Sequence, residues 1–369
     1  MSSLALVNKK DPLVRIARRD SIAKPKALII RLIAIVISLI VCALIIFAIT
    51  KVNPLKVYES MFKGAFGTKG KTWNTVRDTM MLLCIAIGLA PAFKMKFWNI
   101  GAEGQILVGG IATAACMIYL KSLPPVLLFI CMVVASVIAG ALWGILPAVF
   151  KAKWNTNETL FTLMMNYVAL QLTSFFVALW ENPYGSNKVG IINPQNHEGW
   201  FPSIFGEQYV LNVIIVMVLT VGMFIYLKYT KQGYELSVVG DSENTAKYAG
   251  ISVKKVIIRT MIISGAICGL SGFITVSGAS HTISTSTAGG KGFTAIIVCW
   301  LAKFNTFTMI AISALIIFLQ QGAIQIASEF NLNNDVANMI TGIILFFILG
   351  SEFFINYRLI FRKADKGVK

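Results

Sequence analysis

The chain has 369 residues, of which 56% are hydrophobic and only 13% charged, with a formal net charge of +17. An ordinary water-soluble domain carries about a quarter charged residues, so a soluble fold is excluded and an all-α integral membrane protein is expected. The basic residues form short clusters between long apolar runs and no continuous face, which excludes a nucleic-acid partner and makes them topology signals.

In chain order, a basic segment (1–26) precedes the first apolar run, 27–50, which is too long for a signal-peptide core and has no clear cleavage site. Runs long enough to cross the hydrocarbon core, about 18–25 residues, then recur at 76–93, 102–120, 124–150, 159–180, 209–228, 257–277, 307–328 and 336–356. A shorter one, 291–303, does not cross unaided. The expectation is about ten transmembrane helices within one transmembrane domain, 27–357, followed by a tail, 358–369. With both termini cytoplasmic, 24 of the 33 Lys+Arg residues lie on the inner side, as the positive-inside rule requires. Lys51, Lys56, Lys63, Lys69 and Lys71 crowd one outer loop against that trend.

Several features carry no chemistry. Ala65-Phe-Gly-Thr-Lys-Gly-Lys-Thr72 resembles a phosphate-binding loop, but its first glycine is replaced and no strand precedes it, so a flexible Gly/Lys turn is expected and no ATP hydrolysis by this chain. Six cysteines lie inside apolar runs without metal spacing, and His197 and His281 read as solvated loop residues. No metal site and no catalytic residue is expected. Gly140/Gly144 and Gly265/Gly269 each place two glycines on one helix face, where helix backbones can approach closely.

Two breaks in the apolar pattern point to a solute path, the first also reading as an inner loop with a helix start because Lys94 and Lys96 lie just before it. Trp98-Asn99-Ile-Gly101-Ala-Glu103-Gly104-Gln105 opens the third span with polar residues, and Gly289-Gly290-Lys-Gly292-Phe293-Thr294 opens the short eighth. A charged side chain at membrane depth costs at least a few kcal/mol and so faces a cavity or a partner. A helix that starts inside the membrane also aims free N–H groups at bound solute. The two breaks share a G-x-x-G and enter from opposite faces, as an inverted repeat of two five-helix halves would give. Glu158 and Asn166, eight residues apart on the fifth span, complete the polar set. Asn166 reads equally as path lining or as an interhelical hydrogen bond.

The longest inner loop, within 229–256, holds Gly233, Glu235, Gly240 and Asp241, then Ala246, Tyr248, Ala249 and Gly250. Asp241 or Ser242 can cap a helix of about two turns that Gly250 ends. Ala246 and Ala249 would form a small face for docking in a partner's groove, with Tyr248 at its edge.

These residues carry a resemblance. Asn99-Ile-Gly-Ala-Glu-Gly-Gln105, Asn157-Glu158 with Met165-Asn166-Tyr167, Gly233-Tyr-Glu-Leu with Gly240 and Ala246-x-Tyr248-Ala-Gly-Ile251, and Ser264-Gly-Ala-Ile-Cys-Gly-Leu-Ser-Gly272 are similar to the permeases of nucleoside ABC importers, a group within the ribose and branched-chain amino-acid importer permease superfamily. The resemblance implies ten spans in a bacterial cytoplasmic membrane and no cofactor on this chain, ATP being bound by separate ATPase subunits that contact the loop around 240–251. It further implies a second permease, homologous or identical, and an extracellular lipoprotein or periplasmic binding protein. The sequence departs from the family after Phe293, where bulky Trp300 replaces small residues. A sugar or amino-acid permease of the same superfamily is the alternative. An ion-coupled secondary transporter would need an embedded carboxylate pair, for which only Glu103 and Glu158 stand out, and an intramembrane enzyme lacks any signature.

Overall fold

The computed structural model describes residues 14–19, 23–51, 53–331 and 333–361. The expected inner N-terminal segment and C-terminal tail therefore lie largely outside the described residues. The helices are α1 (Lys24–Thr50), α2 (Pro54–Phe66), α3 (Lys69–Lys94), α4 (Ala102–Tyr119), α5 (Pro125–Trp154), α6 (Glu158–Leu179), α7 (Val210–Tyr229), α8 (Lys231–Asp241), α9 (Glu243–Tyr248), α10 (Val253–Thr275), α11 (Lys291–Leu301), α12 (Thr306–Glu329) and α13 (Asn334–Asn356). Strands β1 (Val14–Arg18) and β2 (Tyr357–Phe361) pair antiparallel, Ile16 opposite Leu359. Among the described residues, nine helices are long and apolar enough to cross a membrane, and α11 is a tenth, shorter apolar helix.

Local chemistry sets many of the helix starts. Thr68, Asn157, Thr230 and Ser242 each accept a backbone N–H of the helix they precede, at Lys71, Leu160, Gly233 and Thr245, relieving amides that have no partner within the helix. Two expectations fail here. The lysine-rich stretch after the first span is not simply a loop, because 54–66 is helical, and Gly70 and Lys71 belong to the first turn of α3 rather than to a flexible turn. Likewise 231–241 is a helix in its own right, so the inner loop contains two helices in series.

The chain falls into two compact units, residues 65–318 in one and residues 1–64 with 319–369 in the other. Within the smaller, α1 packs on α13 and Arg31 pairs with Glu352. Within the larger, α10 is the axis, packed against α5, α4 and α3. Glycines set that packing: a methyl at Gly140 or Gly269 would run into backbone of the facing helix, at Gly265 and Ser136 respectively, and one at Gly109 or Gly272 would strike backbone between α4 and α10. Backbones in direct contact give the van der Waals attraction that holds helices together where lipid removes the hydrophobic drive.

At the end of α10 the helix widens into a π-helical turn, Val276–Ser280. The connection between α6 and α7 docks on it through the amide of Phe201 to the Ser277 carbonyl, 3.2 Å, and the amide of Ile192 to the His281 carbonyl, 2.8 Å. His281 is not solvated as expected: it is 8% exposed and stacked on Trp200, ring centres 3.7 Å apart, and Trp200 in turn stacks with His197 at 4.3 Å. Burial and the nearby His197 push its pKa down to about 4.

Candidate functional site

The two sequence breaks meet. α4 and α11 start head to head, and the amide of Gly292 in α11 donates to Glu103 Oε1 in the first turn of α4, 2.8 Å. A methyl on Gly292 would lie only 2.9 Å from the Glu103 amide nitrogen, so no larger residue fits without displacing one helix start. The carboxylate of one break thus caps the helix begun by the other, sitting where the partial positive charge of an N-terminus favours an anion.

Lys291, at the first position of α11, lies 3.7 Å from Asp78. Asp78 stands nine residues past the start of α3 and sixteen before its end, about 14 Å and 24 Å along the axis at ~1.5 Å per residue. Lys291 thus ties the start of α11 to the part of α3 where the apolar run 76–93 begins. Arg77 chelates both Asp78 oxygens, 3.1 and 3.2 Å, and also donates to the Tyr209 hydroxyl, 3.3 Å. Neither Arg77 nor Asp78 was singled out from sequence; a charged pair at the very start of the apolar run 76–93 was the available signal.

The α4 start is built by α6. Asn166 accepts the Gly104 amide, 2.9 Å, and donates to the Ile100 carbonyl, 2.9 Å, while Thr162 accepts the Ile100 amide, 3.1 Å. Between the equal readings of Asn166, these bonds make it a staple. It also borders a cavity of about 350 Å³ together with Glu103, Tyr167, Ser286 and Phe293. Other path candidates lie elsewhere. Asn99 and Gln105 are fully buried, Asn99 donating to Ser264 Oγ at 3.2 Å and its own oxygen accepting the Gly101 amide at 3.0 Å; they shape the loop before α4 and are not on the cavity wall. Thr294 is half-buried and bonds the Gly290 carbonyl. Trp98 stacks on Trp300, ring centres 5.5 Å apart, with Phe93 edge-on to both.

Glu158 is a correction. It lies away from Glu103, paired with Lys151 at 3.0 Å on the wall of a separate cleft of about 320 Å³ formed with Lys96, Asp241 and Glu243. The reason is helical rise: eight residues separate it from Asn166 on α6, which carries it to the end where α8 and α9 sit.

The inner-loop residues divide. Gly233 and Gly240 are buried, and a methyl on either would collide with backbone at Tyr226 or Lys94. Glu235 binds Arg259, 3.0 Å. Ala246 also corrects the expectation: it is buried in a cluster with Met95, Phe97, Leu236, Val239 and Val256 and does not present a small face outward. Asp241, Tyr248, Ala249 and Gly250 are exposed, Tyr248 at 92%. One side of a two-turn helix must seat on the chain's own core, and the alanine with the deeper register takes that side.

Comparison with known proteins agrees with this architecture. The chain is 28% identical over 353 residues to the nucleoside ABC transporter permease protein NupB of Lactococcus lactis, covering 93% of this chain and 96% of that one. It is 29% identical over 332 residues to the guanosine ABC transporter permease protein NupP of Bacillus subtilis, covering 88% and 93%. A glucose ABC transporter permease protein of Haloferax volcanii is 28% identical over 331 residues, covering 84% and 83%. The family model described as branched-chain amino acid transport system / permease component matches residues 72–349, a stretch holding both helix breaks and the inner-loop helices, and the chain therefore belongs to that family as a multi-pass membrane permease.

Proposed function

We propose that this chain is the permease subunit of an ATP-driven importer and that its cargo is a nucleoside. The single observation that carries the path is the meeting of two helix starts at Glu103 and Gly292, beside a cavity walled by a carboxylate, hydroxyls and the aromatic side chains of Tyr167 and Phe293. Buried polar groups within a membrane-crossing bundle are tolerated where water or solute replaces lipid. Flat aromatic faces suit a nucleobase, and the nucleoside and guanosine permeases among its relatives support that cargo over a sugar.

In this reading both termini are cytoplasmic, the ten spans form two inverted halves, and α8 and α9 face the cytoplasm. A separate ATPase subunit binds ATP and docks on the exposed side of α9 around Tyr248. A second permease and an extracellular substrate-binding protein complete the assembly.

The test is uptake of radiolabelled guanosine by cells carrying the chain with the products of its neighbouring genes, against cells lacking only this chain. ATP-dependent guanosine uptake lost with the chain is expected. Uptake of glucose but not guanosine would overturn the cargo, and uptake that survives loss of the ATPase and follows an ion gradient would overturn the class.

A further inference from the structure

A second cavity, about 280 Å³, lies beside the Arg77–Asp78–Lys291 charges. Its wall holds these three residues and six Ser/Thr side chains, with only Met81 and Ala279 apolar. It is set off from the Glu103 cavity by the segment 282–290, and Ser286 borders both. That segment is pinned at buried Ile283 and Ala288 and braced internally, the Ser284 amide donating to Thr287 Oγ1 at 2.8 Å.

Building on the importer reading above, we propose that this cavity is an entry site that takes the pentose of the nucleoside before the cargo reaches Glu103. Its charges are largely satisfied by one another: Arg77 holds both oxygens of Asp78, and Lys291 approaches the same carboxylate. The site is therefore not a cage for a free ion. What it offers is a dense set of hydroxyl donors and acceptors with charged groups among them, and hydrogen bonds to charged groups are the strong ones. A neutral vicinal diol matches that set; an apolar solute does not. The volume is at the small end of ligand sites, right for a sugar ring, while the flat remainder has aromatic faces waiting past Ser286.

The deciding experiment places a cysteine at Ser284 in the complete transporter in intact cells and follows its labelling by a small membrane-impermeant methanethiosulfonate reagent, with the unsubstituted chain labelled in parallel to account for its own thiols. Ser284→Cys should be labelled from outside, guanosine should slow the labelling about tenfold or more, and 2′,3′-dideoxyguanosine should not, because it carries no diol for the charged and hydroxyl groups of the wall to bind. Asp78→Asn should raise the KM of guanosine uptake about tenfold with Vmax kept; should it fail to fold, the cysteine result still decides. Labelling indifferent to guanosine, or slowed equally by the dideoxy analogue, overturns the entry site while normal wild-type uptake leaves the importer reading standing. Absence of guanosine uptake by the wild type overturns the reading beneath both.

Discussion

Asn166 and Glu103 are the residues on which the path is built, and each has a mechanical duty that side-chain chemistry alone could not announce. Asn166→Ala orphans the Gly104 amide and the Ile100 carbonyl, and a buried unpaired polar group costs about 1–3 kcal/mol. We therefore expect a lowered unfolding temperature in detergent along with lost uptake, where a purely solute-facing residue would leave the unfolding temperature unchanged. Glu103 separates the two duties. Glu103→Gln keeps an oxygen for the Gly292 amide and should unfold like wild type, whereas Glu103→Ala should lose about 1 kcal/mol or more. Reduced uptake in the Gln variant then reads the carboxylate charge itself. The sequence placed Glu103 at a costly depth, and that cost was legible. Its partner was not, because Gly292 lies 189 positions away and a glycine amide carries no side-chain signature.

At the level of elements, α9 shows what local sequence does and does not disclose. Its cap at Ser242 and its end at Gly250, φ +75°, were readable from residue type. Which alanine faces inward was not, since orientation is set by the hydrophobic residues of α3, α5, α8 and α10 that close over Ala246. Ala246→Arg should therefore abolish folded permease in the membrane, not merely its association with an ATPase. Tyr248→Ala should leave the amount of folded permease intact and weaken co-purification with the ATPase subunit. α2 and α8 were missed for a related reason: both are short and mixed in polarity, so the long apolar runs that reveal a span are absent. The glycine packing of α10 was visible only as spacing. Gly269→Leu would push α5 and α10 apart, and overpacking a close contact costs about 1–3 kcal/mol, measurable as loss of monodisperse protein on size-exclusion chromatography.

For the molecule as a whole, the spans were legible because bilayer thickness dictates their length, and the pairing of spans was not, because lipid-facing and core-facing residues are equally apolar. The contact between the α6–α7 connection and the π-helical turn belongs to this scale, joining distant parts of the chain through His281. Its pKa lies near 4, below the ordinary 6.5, so the unfolded chain binds the proton more readily than the folded one. Stability is then fully present above about pH 6.5 and is lost progressively as pH falls toward 4. His281→Phe, which keeps a ring against Trp200, should flatten that dependence in unfolding measured between pH 4 and 7.

The aromatic stack of Trp98 on Trp300 has an optical consequence. Two indoles with ring centres 5.5 Å apart and planes 28° from parallel are coupled chromophores, fixed to the loop before α4 and to the far end of α11. Any cycle that parts those two helix segments uncouples them, and the near-ultraviolet circular dichroism of the pair changes without an added dye. Trp300→Phe would erase the signal and supply its blank, making turnover visible in the unlabelled protein.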